Sequence, residues 1–246
     1  MKFTVKRRDL GPALKIVSST LGTGNGDIAS HFVFRSTPEG EVEVLSNKST
    51  VYSSVLLTGV SLEGEGRFTI EGSRLLQWLR AVGELEVITF EFLADKSVQC
   101  SESRGKQKFS SLDPSLFPYW DETLKKASES GVLPASRLRD ALGHVKRFVS
   151  DLENKYPNLT VAEVQEGILK SSDRAAMAAV KVAGAENIQC RFTGKNIGNV
   201  MKFLDQFGDL EVEVLSTERT YFIKAPGAVL GETKYTAPFP ELTAPW

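Results

Sequence analysis

A pattern that occurs twice at a fixed spacing constrains this chain more than any single motif. Residues 73–92, SRLLQWLRAVGELEVITFEF, read as a short helix, a two-residue turn and a strand. Residues 195–215, KNIGNVMKFLDQFGDLEVEVL, repeat that plan. Gly83-Glu84-Leu85-Glu86-Val87 and Gly208-Asp209-Leu210-Glu211-Val212 stand 125 residues apart. Ala13-Leu14 and Ala141-Leu142 match at an offset of 128, and Lys108-Phe109 and Lys234-Tyr235 at 126. A near-constant offset means that one unit has been doubled. It is too long for a solenoid repeat and is the length of a domain. The 246 residues hold two such domains, each large enough for its own core.

The halves parse in parallel. In the first, a strand at Phe3-Thr4-Val5 leads into a helix from about Asp9 to Leu21. Its residues Leu10, Ala13, Leu14, Val17 and Leu21 follow the 3.6-residue period. Pro12 fits such a helix only within the first turn. Strands are expected at residues 31–35, 41–46, 51–57 and 67–70, a helix at 73–82, and strands at 85–93, 97–101 and 107–112. In the second half a strand starts at Val132, a helix covers 136–149, and strands cover 159–163, 168–171, 176–182 and 188–192. A helix at 195–207 and strands from Leu210, Tyr221 and Thr233 complete it. Residues 113–131, with two prolines and a charged, serine-containing run, break the pattern as a linker does. The expected layout is therefore domain 1 at 1–118, a linker at 119–131 and domain 2 at 132–246. The fold class is α+β, with strand, helix, several strands, helix and several strands in each domain. That order suggests a further doubling of a βαβββ unit.

Charge is segregated. The net charge is only −1, but the helical segments 6–21, 72–82, 135–149 and 195–207 carry +3, +2, +3 and +1, which is +9 in all and leaves −10 elsewhere. A basic helical layer on an acidic remainder suits helices that face a polyanion. Solvation of helix faces by lysine and arginine gives the same count, and the two readings stay open at this point. Aromatic residues other than Trp78 are nearly absent from those polar faces, so stacking on bases is not indicated. The contact implied is with phosphates, independent of base sequence.

No catalytic or metal-binding pattern emerges. Gly22-Thr23-Gly24-Asn25-Gly26 follows a helix and precedes a strand, the reverse of a phosphate loop. Asp173-Arg174 reads as a turn. Glu84, Glu86, Glu91, Glu211 and Glu213 alternate as on a solvated sheet face. His144 lacks triad partners. Cys100 and Cys190 sit in strand-like runs as buried free thiols, and with only these, His31 and His144 available no closed zinc site is expected. The expectation is no enzyme activity and no cofactor. No apolar run approaches the ~20 residues that span a bilayer, and the start lacks a signal-peptide core, so a cytoplasmic location is expected.

Several stretches resemble one family. MKFTVKRRDLGPALKIVSSTLG, GSRLLQWLRAVGE, EVITFEF and KSVQCSESRGKQKFSSLDPSLFP are similar to bacterial-type DNA polymerase sliding clamps, and SSDRAAMAAV resembles a turn and strand of their later part. The similarity is diffuse but spans nearly the full length. The chain departs from that family in having two domains where bacterial clamps have three, and in lacking an arginine in the loop 21–27. Two domains per chain matches phage, archaeal and eukaryotic clamps, and with the bacterial flavour the resemblance points to a bacteriophage protein of the host cytoplasm. It implies a six-domain ring with helices inside and sheet outside, closed by three chains around double-stranded DNA. Arg7, Arg8, Lys15, Arg74, Arg80, Arg137, Arg139, Lys146, Arg147, Lys195 and Lys202 would then face DNA. It also implies short peptides of a polymerase and a clamp loader bound in an apolar pocket of Val51, Pro238, Phe239, Pro240, Leu242 and Trp246. The alternative is a clamp-like adaptor that binds partners without encircling DNA.

Overall fold

A computed structural model describes residues 1–24, 26–150, 157–173, 175–235 and 239. The chain forms two compact units, Met1–Trp120 and Asp121–Trp246.

In the first unit the elements are β1 (Lys2–Lys6), α1 (Arg7–Val17), β2 (His31–Ser36), β3 (Val42–Lys48), β4 (Val51–Leu56), β5 (Ser61–Glu63), β6 (Arg67–Glu71), α2 (Gly72–Leu79), β7 (Val87–Phe92), β8 (Ser97–Glu102) and β9 (Gly105–Ser110). One sheet runs β5-β1-β7-β8-β9, and a second set of strands runs β4-β3-β2-β6. All pairings are antiparallel. The second unit contains α3 (Asp121–Lys125), β10 (Ser128–Pro134), α4 (Ala135–Val145), β11 (Val161–Gln165), β12 (Ile168–Ser172), β13 (Met177–Lys181), β14 (Cys190–Thr193), α5 (Gly194–Leu204), β15 (Glu211–Ser216), β16 (Thr220–Ala225) and β17 (Ala228–Thr233). There the strand orders are β10-β15-β16-β17 and β13-β12-β11-β14.

These orders show how each unit is itself doubled. Each βαβββ segment keeps its last three strands as a meander and sends its first strand to the other meander. Thus β1 pairs β7, the first strand after α2, while β6 pairs β2, the first strand after α1. The second unit repeats the exchange, with β10 on β15 and β14 on β11. Neither half of a unit can complete its sheet alone, so the two halves form one core.

The duplication extends to single hydrogen bonds. Helix α1 lacks a capping side chain, and the Arg7 and Arg8 amides instead donate to Glu86 O (2.9 Å) and Glu84 O (3.1 Å). In α4 the Ala135 and Ser136 amides donate to Leu210 O (2.9 Å) and Gly208 O (2.7 Å). Each first helix is therefore capped by the loop that follows its unit's second helix, which satisfies donors that would otherwise be orphaned. Glu84 and Glu86 accordingly lie in that loop and not in β7, which corrects their placement on a sheet face. Buried serines match as well. Ser46 donates to Val17 O, and Ser171 to Val145 O (2.8 Å), each taking up a helix C-terminal carbonyl.

The core of the first unit is aromatic. Phe3 stacks on Phe90 with centroids 4.8 Å apart, and Phe34 on Phe68 at 5.2 Å. Its sheet carries a second cluster in which Val33, Leu45, Tyr52 and Phe117 meet and Trp120 stacks on Tyr52 at 5.5 Å. The guanidinium groups of Arg35 and Arg67 each stand 5.4 Å from the Tyr119 ring.

Local corrections have simple causes. Helix α1 begins at Arg7, so Pro12 is its sixth residue and lies beyond the first turn. The Arg8 carbonyl thereby loses its helical donor, and both residues are exposed, so water can replace it. Residues 121–125 form α3, and β10 starts at Ser128, which pairs with Ser216. The short β5 has too few residues to show a period. Thr233 ends the last strand and does not begin it.

Candidate nucleic-acid interface

The helices are placed by their apolar stripes. Helix α4 buries Leu138, Ala141, Leu142 and Val145, and α5 buries Ile197, Val200, Phe203 and Leu204. Helix α4 packs on β10, β12, β13 and α5, while α5 packs on β14. The two helices run antiparallel. Arg139 bonds Asp205 (2.9 Å), a Cβ on Gly143 would sit 3.5 Å from Met201 Cε, and one on Gly198 would sit 3.6 Å from Lys146 Nζ. In the first unit α1 packs on β1, β3 and β4 and α2 on β6. The Arg7 Nε donates to Leu79 O (3.2 Å), tying the start of α1 to the end of α2.

Burying one face of each helix leaves the basic residues on the other. Arg8, Lys15, Arg74, Arg80, Arg137, Lys146, Arg147, Lys195 and Lys202 are exposed, whereas Arg7 and Arg139 are half-buried. Some are engaged. Arg74 pairs with Glu71 (2.9 Å), Arg8 with Asp9 (3.8 Å), and Arg139 with both Asp140 (2.8 Å) and Asp205 (2.9 Å). The Arg137 Nη1 donates to Ala183 O (2.9 Å), and the Arg147 guanidinium lies 5.3 Å from the Phe148 ring. Among the described residues no carboxylate lies within ion-pair distance of Lys15, Arg80, Arg137, Lys146, Arg147 or Lys202. Cations on long, hydrated side chains without counter-charges suit mobile contacts with phosphates.

Of the residues expected to line a peptide pocket, two are described. Val51 is fully buried in β4. Phe239 is buried, with the Lys170 ammonium 5.3 Å from its ring centroid. Pro238, Pro240, Leu242 and Trp246 lie outside the described residues, as does Arg174. Asp173 Oδ1 accepts from the Ala175 (3.0 Å) and Ala176 (2.8 Å) amides, a side-chain-closed turn. Among the described residues no group of three or more His, Cys, Asp or Glu is placed to hold a metal ion, and no helix is long and apolar enough to cross a membrane.

One buried network escaped sequence reasoning. Glu232 in β17 is fully buried, and its carboxylate accepts from the Tyr221 and Thr193 hydroxyls, from Asn196 Nδ2 (2.9 Å) and from the Thr193 amide (3.3 Å). Because Thr193 and Asn196 open α5, the carboxylate ties the start of that helix to β17 of the other sheet. Burial raises the Glu232 carboxyl above its usual range, against the pull of these donors. The continuous apolar run AVLG before it shows no alternation, so the sequence does not say which face Glu232 takes.

The architecture, two α+β units each with two helices packed on antiparallel sheet, defines a class: the sliding-clamp domain fold. Among solved structures the chain is similar to the DNA polymerase sliding clamp from Bacillus subtilis (TM-score 0.86, 16% identity, 99% of this chain and 67% of that one). It is similar also to pol III beta from Caulobacter crescentus (0.84, 18%, 98% and 68%) and to the DNA polymerase III subunit beta from Pseudomonas aeruginosa (0.82, 16%, 98% and 66%). The chain thus spans about two thirds of the length of the structures it matches. No protein-family model matches it, and no curated protein matches it by sequence.

Proposed function

We propose that this chain is a DNA sliding clamp of bacteriophage origin, a non-enzymatic replication protein of the host cytoplasm. Three copies close into a ring around duplex DNA and tether a replicative polymerase, which with the clamp loader docks through short peptides. The observation that carries this reading is the set of cations on the helices of a sliding-clamp fold that have no carboxylate partner among the described residues, Lys15, Arg80, Arg137, Lys146, Arg147 and Lys202. A ring must hold DNA without gripping a sequence, and phosphate contacts by flexible side chains meet that need. Two domains, here taken as 1–118 and 132–246 around a linker at 119–131, need three copies to make six. Processivity then follows from topology, with no bond made or broken.

Two measurements test it. Sedimentation should give three times the 27.0 kDa chain mass at micromolar concentration, and a clean monomer would sink the closed ring. Once loaded, the protein should stay on nicked circular DNA and slide off after linearisation. Equal loss from both forms would favour an adaptor that does not encircle DNA.

A further inference from the structure

The segment after the last strand of the first unit lies across the outside of a sheet. Phe117 is buried with Val33, Leu45 and Tyr52, and the Trp120 ring stacks on Tyr52 at 5.5 Å, 11° from parallel. Ser46, between Leu45 and Asn47 in β3, turns its hydroxyl to the end of α1. Successive strand residues alternate between faces, so Leu45, Asn47 and its cross-strand partner Tyr52 lie on the face turned away from the helix.

The second unit has the same seat. Ser171 takes the place of Ser46, so Lys170 stands where Leu45 does. Met177, opposite Ser172, stands where Tyr52 does, opposite Asn47. Phe239 is buried with the Lys170 ammonium 5.3 Å from its ring centroid, which is the place of Phe117 on Leu45. Each phenylalanine is followed by proline and then by tryptophan, at Phe117-Pro118-Tyr119-Trp120 and at Phe239-Pro240 with Trp246. The surface around Met177 is apolar. Met177 itself is half-buried, and Ile168, Ala175, Ala176 and Ala179 are exposed.

We propose that residues 240–246 form a second strap, seated on the outer face of β12 and β13 of the same chain with the Trp246 indole over Met177. The reach is ample. From Lys170 to Met177 the path is one strand spacing of about 4.8 Å and two residues, about 7 Å, along the strand. Seven extended residues span about 23–25 Å. Pro240 and Pro245 restrict the free segment, so ordering it costs less entropy. A thioether under an aromatic ring is a favourable contact. Strand β13 is the edge of its sheet, in the order β13-β12-β11-β14, and carries no charge before Lys181. Such an edge invites pairing with other chains. An indole over Met177 covers the start of that strand, so the strap guards the edge.

The test is limiting hydrogen peroxide on the full chain, with peptide mapping of its three methionines, Met1, Met177 and Met201. In a chain ending at Pro240, Met177 should oxidise several-fold faster while Met1 and Met201 keep their rates. Trp246→Ser should do the same at full length. The reciprocal reading is the emission of Trp246, obtained by subtracting the spectrum of Trp246→Phe. It should move to longer wavelength when Met177→Ser is introduced into both proteins. An unchanged Met177 rate in both tail variants would overturn the proposal, as would a Trp246 emission already that of a hydrated indole in the unaltered chain. Protection of Met177 that grows with chain concentration would give the seat to a second copy and overturn it as well. None of these readouts depends on DNA or on ring closure, so the reading of the chain as a clamp stands or falls separately.

Discussion

Gly194 and Val149 touch so closely that a Cβ at position 194 would force a neighbour to shift. A Cβ there would sit 2.6 Å from Val149 Cγ1 and 3.1 Å from Thr160 O. The duplicated pair in the first unit is Gly72 and Leu21, where the same atom would sit 2.4 Å from Leu21 Cδ2. In both units the first residue of the second helix is pressed against the chain leaving the first helix. At Gly194 the Cβ meets stiff Val149 and a backbone carbonyl, whereas at Gly72 the tightest contact is the end of the flexible Leu21 side chain, with Phe32 Cε2 at 3.1 Å. Gly194→Ala should therefore cost about 1–3 kcal/mol, and Gly72→Ala less. Urea unfolding of both variants checks the order.

Gly143 provides the opposite case. It lies inside α4, and a Cβ would meet Met201 Cε at an ordinary 3.5 Å. Gly143→Ala should stabilise the chain by about 0.5–1 kcal/mol, since alanine loses less backbone freedom on entering a helix. A rise in the urea midpoint with unchanged slope is the expected result.

Ser171 is small and polar in a strand, yet fully buried with its hydroxyl on Val145 O at 2.8 Å. Ser171→Ala removes this hydrogen bond to the carbonyl at the end of α4, at a cost of about 0.5–1.5 kcal/mol. Faster hydrogen exchange of the last turn of α4 should accompany the loss of stability.

The Glu232 carboxyl has a folded-state pKa raised above its unfolded value, chiefly by burial. Its favourable contribution is complete below the unfolded pKa of about 4.5 and is lost as pH rises through the folded value. Glu232→Gln imitates the protonated form, so wild type should lose stability relative to this variant as pH rises from 4 towards neutrality. Parallel stability curves for the two proteins from pH 4 to 7 would show that the carboxyl titrates as it does in the unfolded chain.

Reversing Arg80, Lys146 and Lys202 to glutamate should weaken binding to duplex DNA equally for all sequences. The slope of log affinity against log salt should fall by roughly 0.9 for each phosphate that the variant no longer neutralises. Polymerase processivity should fall with it. An unchanged salt slope would remove these helix faces from the DNA path.

Local chemistry made much of this readable from the chain. Leu10, Ala13, Leu14 and Val17 mark α1 by period, and Gly83–Val87 with Gly208–Val212 mark the doubling, because helix period, strand alternation and repeat spacing are written along the sequence. The helical excess of positive charge was a matter of counting. The pairing of β1 with β7 and of β6 with β2 was not readable, since a strand's pattern says which face is buried and not which neighbour it joins. The same limit hid Glu232. Its burial depends on Tyr221 from β16 and on Thr193 and Asn196 from the start of α5 arriving from two other places in the chain. Which of the helix cations lack a counter-charge was likewise decided in three dimensions. Arg139 finds Asp205 across two packed helices, while Lys146 and Lys202 on the same pair find no carboxylate among the described residues. The sequence by itself determined the elements, their duplication and the sign of the helical surface, because those depend on neighbours a few residues away. Tertiary structure alone decided strand exchange, remote capping and the Glu232 network, because each depends on groups distant in sequence meeting at hydrogen-bond range.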